Sequence, residues 1–152
     1  EGRLSSESKL EIRGMLREVT EIESIGDSCY NLARTINRKR SGGNDFTEKQ
    51  YEHIHQMMQL TNDALAHMIA VVEDDHHVVD VNKSFNIENE INNYRAQLKN
   101  QNVVDVNNKE YDYQMGVHYM DIIGECEKLG DYVVNVVEAR TNVKEKKTGD
   151  NR

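Results

Sequence analysis

The sequence predicts an all-α protein, an antiparallel bundle of four long helices. Three observations carry that expectation. None of the 152 residues is proline, so nothing forbids long uninterrupted helices. Apolar residues recur at alternating spacings of three and four over most of the chain, which marks one buried seam per helix. Short polar segments with capping residues separate the seams. The length is one domain's worth, enough for a continuous core. The ordered core is expected over residues 8–142.

The first helix is expected from Ser8, where Ser8-x-x-Glu11 reads as a capping box. Its seam is Met15, Val19, Ile22, Gly26, Cys29, Ala33 and Ile36. Arg38, Lys39 and Arg40 crowd the last turn, where cations suit the negative helix end. Ser41-Gly42-Gly43-Asn44 stops it. The second helix restarts at Thr47, with Gln50 completing a capping box, and runs along Tyr51, Ile54, Met58, Thr61, Leu65, Met68 and Val72. Glu73 to His77 forms a turn. The third helix, the most polar, carries Val78, Val81, Phe85, Ile87, Ile91, Tyr94 and Leu98. An asparagine-rich loop is expected over 100–108. The fourth helix starts near Asn107, with its seam along Tyr119, Ile123, Cys126, Gly130, Val133 and Val137. The lysine-rich tail, 143–152, is expected to be disordered.

Charge narrows the function classes. The net charge is −8 and the pI near 5.2. Nucleic acid is not an expected partner, because phosphate backbones demand a clustered basic surface. No apolar run reaches the ~18 residues of a membrane span, so direct membrane insertion of this chain is not expected. Cys29 and Cys126 are too few for a disulfide framework, which points to a reducing, cytoplasmic setting. The first residue is Glu1 rather than methionine, as expected of a piece of something longer.

The chain repeats itself. Glu21 to Asn31 and Glu125 to Asn135 align without gaps, with identity at Glu21/Glu125, Glu23/Glu127, Gly26/Gly130, Asp27/Asp131 and Asn31/Asn135. A glycine inside a helix costs about 1 kcal/mol against alanine. Its place on the seam suggests close approach by a neighbouring helix, so Gly26 and Gly130 are read as packing residues. Glu23, Asp27 and Asn31 lie at i, i+4 and i+8 and share one helix face, as do Glu127, Asp131 and Asn135. Carboxylates four apart repel, so each pair calls for a cation. That cation is either an Arg or Lys from another helix or a metal ion; oxygen ligands alone favour a hard ion, manganese or iron.

These segments resemble the PhoU family, whose Glu-x-x-Gly/Ala-Asp-x-x-x-Asn helix occurs twice about a hundred residues apart. The resemblance covers Thr20 to Glu138, and the chain looks like the last four helices of the family's six-helix form. It implies a non-enzymatic regulatory domain of phosphate transport. The expected setting is the cytosolic C-terminal domain of a sodium/phosphate cotransporter-like membrane protein. The expected partners are the transporter membrane domain or another phosphate-uptake component. Some family members bind iron or zinc through the Glu/Asp pairs, which carries Glu23, Asp27, Glu127 and Asp131 over as metal ligands. Glu88 joins them from a third pair whose other position is Ser84. With that acid missing, and Ser24 and Lys128 at the motif's central arginine positions, one weakly bound divalent or iron ion, or none, is expected.

Two other readings stand beside this one: a metal-binding carboxylate bundle, and a helical module that dimerises. An enzyme is not expected. The chain has no glycine-rich phosphate loop or nucleophile motif, nor the paired Glu-x-x-His of di-iron bundles. Of the six histidines, His53 and His55 fall on different faces, and His76 and His77 share a turn. His67 and His118 are read as partly exposed helix residues.

Overall fold

Where the first helix begins is set by Ser5, whose hydroxyl accepts the Ser8 amide at 3.0 Å. Helix α1 spans Ser6–Ser41, so the cap lies three residues before the expected Ser8 box. It ends at Gly42, whose amide bonds to the Lys39 carbonyl, and Gly43 follows at φ +79°, a conformation that costs glycine little. The computed structural model describes residues 2–76 and 78–149, with side chains through residue 141. The other helices are α2 (Glu48–Glu73), α3 (Asn82–Asn107) and α4 (Tyr113–Gly149). Among the described residues there is no strand. The all-α class follows the sequence.

The Thr47–Gln50 capping box opens α2 as expected, with both reciprocal bonds formed. The turn after α2 is organised by Asp74. Its two carboxylate oxygens accept the amides of His76 and Val79, at 3.1 and 2.8 Å. This holds the chain out of helix, so α3 starts at Asn82 and not at Val78. The asparagine-rich stretch is helix rather than loop: α3 continues to Asn107. Asparagine is only a mild helix breaker, and Asn102 is held by the Tyr111 hydroxyl at 2.7 Å. The fourth helix accordingly starts later than Asn107. Asp112 accepts the Met115 amide at 2.8 Å and caps it. Its backbone stays helical past Asn142, where the sequence reading ends the ordered core, to Gly149. Residues 150–152 of the expected disordered tail lie outside the described residues.

The arrangement is up-down-up-down with α4 at its centre. Helices α2, α3 and α4 pack on one another; among the described residues α1 packs along α4, and its last turn reaches α2 through Lys39, whose ammonium donates to the Tyr51 hydroxyl at 3.1 Å. The predicted α4 seam is buried throughout, from Tyr119 to Val137. Ile122, Leu129, Val134 and Val136 are buried too, so α4 is apolar around most of its circumference, as a helix enclosed by neighbours must be. Burial pushes the Cys126 thiol up to about 11, leaving it unreactive at neutral pH.

Two expected seams are rotated. On α2 the buried line is Gln50, Ile54, Met57, Thr61, Ala64, Met68 and Val71, with Tyr51 exposed and Met58, Leu65 and Val72 half-buried. His67 is buried rather than partly exposed, its Nδ1 2.6 Å from the hydroxyl of the equally buried Ser84. On α1 the correction is larger. Met15, Val19, Ile22, Gly26, Cys29 and Ala33 are exposed, and Ile25, Ser28 and Leu32 turn inward instead. The face of α4 that receives α1 is lined with Glu125, Asn135 and Glu138, which bond Ser28, Glu21 and Arg17. Polar partners therefore set the rotation of α1.

One packing contact is tight enough to test. A Cβ at Gly116 would lie 2.9 Å from Val106 Cγ2 and 3.0 Å from Asn102 Oδ1. Valine is stiff at χ1 in a helix, and Asn102 is committed to Tyr111. A Cβ at Gly124 meets nothing within 4 Å. In urea unfolding, Gly124→Ala is expected to gain roughly 0.5–1 kcal/mol from helix propensity, whereas Gly116→Ala is expected to lose about 1–2 kcal/mol through overpacking.

Candidate functional site

The two repeated segments lie against each other. Copy one is on α1, copy two on α4, and the helices run antiparallel. Asn135 Nδ2 donates to Glu21 Oε2 at 3.1 Å, and Ser28 donates to Glu125 Oε2 at 2.8 Å. Each copy's first glutamate thus reaches across to the other copy. Arg140 of α4 lies 3.5 Å from Glu18 and donates to the Val72 carbonyl at 2.7 Å, tying α1, α2 and α4 at one level. Glu21 and Glu125 are identities of the repeat, and Asn135, which the spacing places in line with Glu127 and Asp131, turns to Glu21 instead.

The remaining acids divide. Glu127 and Asp131 land on α3, while Glu23 and Asp27 remain exposed on the outer side of α1. Glu127 forms an ion pair with Arg95 at 2.5 Å, so a basic residue from another helix supplies the cation that its spacing called for. Glu88 is hydrogen-bonded to Asp131 and Asn92. Glu88, Asn92 and Arg95 follow at i, i+4 and i+7, so α3 presents all three on one face. That spacing could have brought Asn92 and Arg95 into the sequence reading. Ser84, four residues before Glu88, faces the core and His67 instead.

Electrostatically the Glu88–Asp131 pair is strained. Burial raises the Glu88 pKa above its ordinary range, and the Asp131 carboxylate beside it raises it further. Asn92 Oδ1 is buried without a hydrogen-bond partner. Glu88, Asp131 and Asn92 together form an oxygen-rich corner between α3 and α4. Copy one contributes nothing to it, and among the described residues no three His, Cys, Asp or Glu side chains converge to hold a metal.

The glycines divide in the same way. A Cβ at Gly130 would lie 3.2 Å from Ile91 Cδ1, so α3 does approach α4 closely there. A Cβ at Gly26 would meet nothing within 4 Å. Asn31 lies in an open cleft between α1, α3 and α4, beside Arg34, Arg38, Lys128 and Glu125.

A family model for the PhoU domain matches residues 54–139, more than half of the chain. The chain belongs to the PhoU family. The match spans α2, α3 and most of α4, so the PhoU domain is the three-helix unit that contains copy two, and α1 with copy one lies outside it. No curated protein and no solved structure matches the chain. Among the described residues no helix of this PhoU protein is long and apolar enough to cross a membrane.

The raised Glu88 pKa fixes the sign of one pH effect. A group whose pKa is higher folded than unfolded favours folding below its unfolded pKa, and that contribution is lost as pH rises through the folded value. At pH 7 an ionised Glu88 beside Asp131 therefore destabilises. Glu88→Gln is expected to raise the melting temperature at pH 7 by on the order of a degree or two, and the gain is expected to vanish when the melts are repeated near pH 4.

Proposed function

We propose that this PhoU protein regulates phosphate uptake, as the cytosolic domain of a sodium/phosphate cotransporter-like protein acting through contacts with the transporter membrane domain. The observation that carries the reading is the PhoU match over the helices that hold copy two. The chemistry of the surface is in keeping with a non-enzymatic role. Its carboxylates are exposed, or engaged by Arg, Lys, Ser or Asn side chains, backbone amides or another carboxyl group, and its buried thiol is unreactive. The acidic surface suits a domain that works in solution beside a membrane.

One observation favours a bound cation as part of that role: the Glu88–Asp131 pair with the unpartnered Asn92 Oδ1. These are oxygen donors, so a hard divalent ion fits them better than zinc. Glu127 is held by Arg95, and Glu23 and Asp27 are distant in the fold, so the reading is one ion of modest affinity.

Deleting the coding segment for this chain in its host is expected to leave phosphate uptake insensitive to external phosphate; radiolabelled uptake with unchanged regulation would remove the reading. For the cation, about 1 mM manganese(II) is expected to raise the melting temperature of the purified chain by a degree or two. Glu88→Gln is expected to abolish that increment. If manganese leaves the melting temperature of the unaltered chain where it was, the cation plays no part.

A further inference from the structure

Helix α1 rests on α4 by its more polar side and presents its more apolar side outward. Ile12, Met15, Leu16, Val19 and Ile22 form a continuous row, each 42–63 % exposed. Single exposed apolar residues need no explanation, but a row of this kind marks an interaction surface. The internal repeat supports that interpretation. Met15, Val19, Ile22 and Gly26 align with Tyr119, Ile123, Cys126 and Gly130. In copy two all four are buried, and Ile91 covers the glycine; in copy one the same seam is bare and Gly26 is an open notch.

The charges beside the row identify the occupant. One residue on from the seam runs a second line, Lys9, Arg13, Leu16, Thr20, Glu23 and Asp27, at spacings of four and three. It is basic at its start and acidic at its end. Two copies of α1 packed antiparallel, about a two-fold axis near residue 17, bring Ile12 opposite Ile22 and Met15 opposite Val19 of the other copy. The flanking lines then face each other, with Lys9 and Arg13 beside Asp27 and Glu23, and the two-fold repeats the pairing. Among the described residues α1 packs on α4, and its side-chain contact with α2 is at Lys39, at the other end of the helix from this row, so the row itself stays exposed.

We propose that the exposed face of α1 is a homodimer interface, an antiparallel α1–α1 pair held by the Ile12–Ile22 row and two symmetric sets of charge pairs. The interface uses Glu23 and Asp27, so the copy-one acids meet basic side chains of a second chain much as Glu127 meets Arg95 within this one.

Sedimentation equilibrium of the full 152-residue chain tests it, with circular dichroism confirming that each variant stays helical. The unaltered chain is expected to be dimeric at about 100 µM. The double variant Val19→Glu, Ile22→Glu is expected to weaken the dimer at least 100-fold. Lys9→Glu with Arg13→Glu, and separately Glu23→Lys with Asp27→Lys, are each expected to weaken it about tenfold. The four charge changes combined are expected to restore it to within a few-fold of the unaltered chain. A monomer at about 100 µM overturns the proposal. So does a dimer indifferent to Val19→Glu and Ile22→Glu, or a four-fold charge variant no tighter than either pair alone.

Discussion

Everything in this fold passes through α4. It packs against each of the other three helices, and α1 packs on it more extensively than on any other. A helix in that position needs apolar residues on adjacent seams, and α4 has them in Ile122 and Ile123, Leu129 and Gly130, Val133 and Val134, and Val136 and Val137. It also needs polar residues where α1 lies, because α1 offers Arg17, Glu21 and Ser28 there. The enclosed helix therefore has an apolar arc toward α2 and α3 and a polar arc toward α1. The repeated segment sits where the two arcs meet, so its residues are divided among three tasks: Glu125 and Asn135 clasp α1, Gly130 admits Ile91, and Glu127 and Asp131 face α3.

How far the sequence could foretell this depended on how enclosed each helix is. The α4 seam was legible because a helix surrounded by neighbours buries almost any apolar line it carries. The same reasoning misplaced α1, which packs mainly on one neighbour and turns its polar side to it. Spacing alone does not say which side of an amphipathic helix meets a partner outside the chain. The caps show the local version of this limit. Thr47 and Gln50 were readable because both halves of the box are local; Asp112 caps α4 by an equally local bond but without the Glu or Gln three residues on that marks a box, and Asp74 bonds the amides of a turn that no glycine marks. Asn102 escaped because its helical state rests on Tyr111 from the next segment.

Of the candidate site, the pairing of carboxylates on one face was legible, and so was their demand for a cation. What spacing could not supply was the opposing surface. Glu127 finds Arg95, while Asp131 finds the carboxyl group of Glu88. Identical residues in the two copies thus end in different electrostatic settings. Glu23 and Asp27, at the same positions of the repeat, have no α3 to meet. The PhoU match shows the same asymmetry, covering the helices around copy two and leaving copy one outside.

The placement of α1 along α4 also bears on how the molecule comes apart. Helices α2, α3 and α4 keep their contacts with one another whether or not α1 is docked, and α1 is joined to them by its polar contacts with α4, by Ile25, Leu32 and Ile36, and by the Lys39 bond to Tyr51. Local opening free energies follow the apolar contact each segment would lose. The part of α1 before the Lys39 anchor is therefore the segment whose local opening disturbs the three-helix unit least.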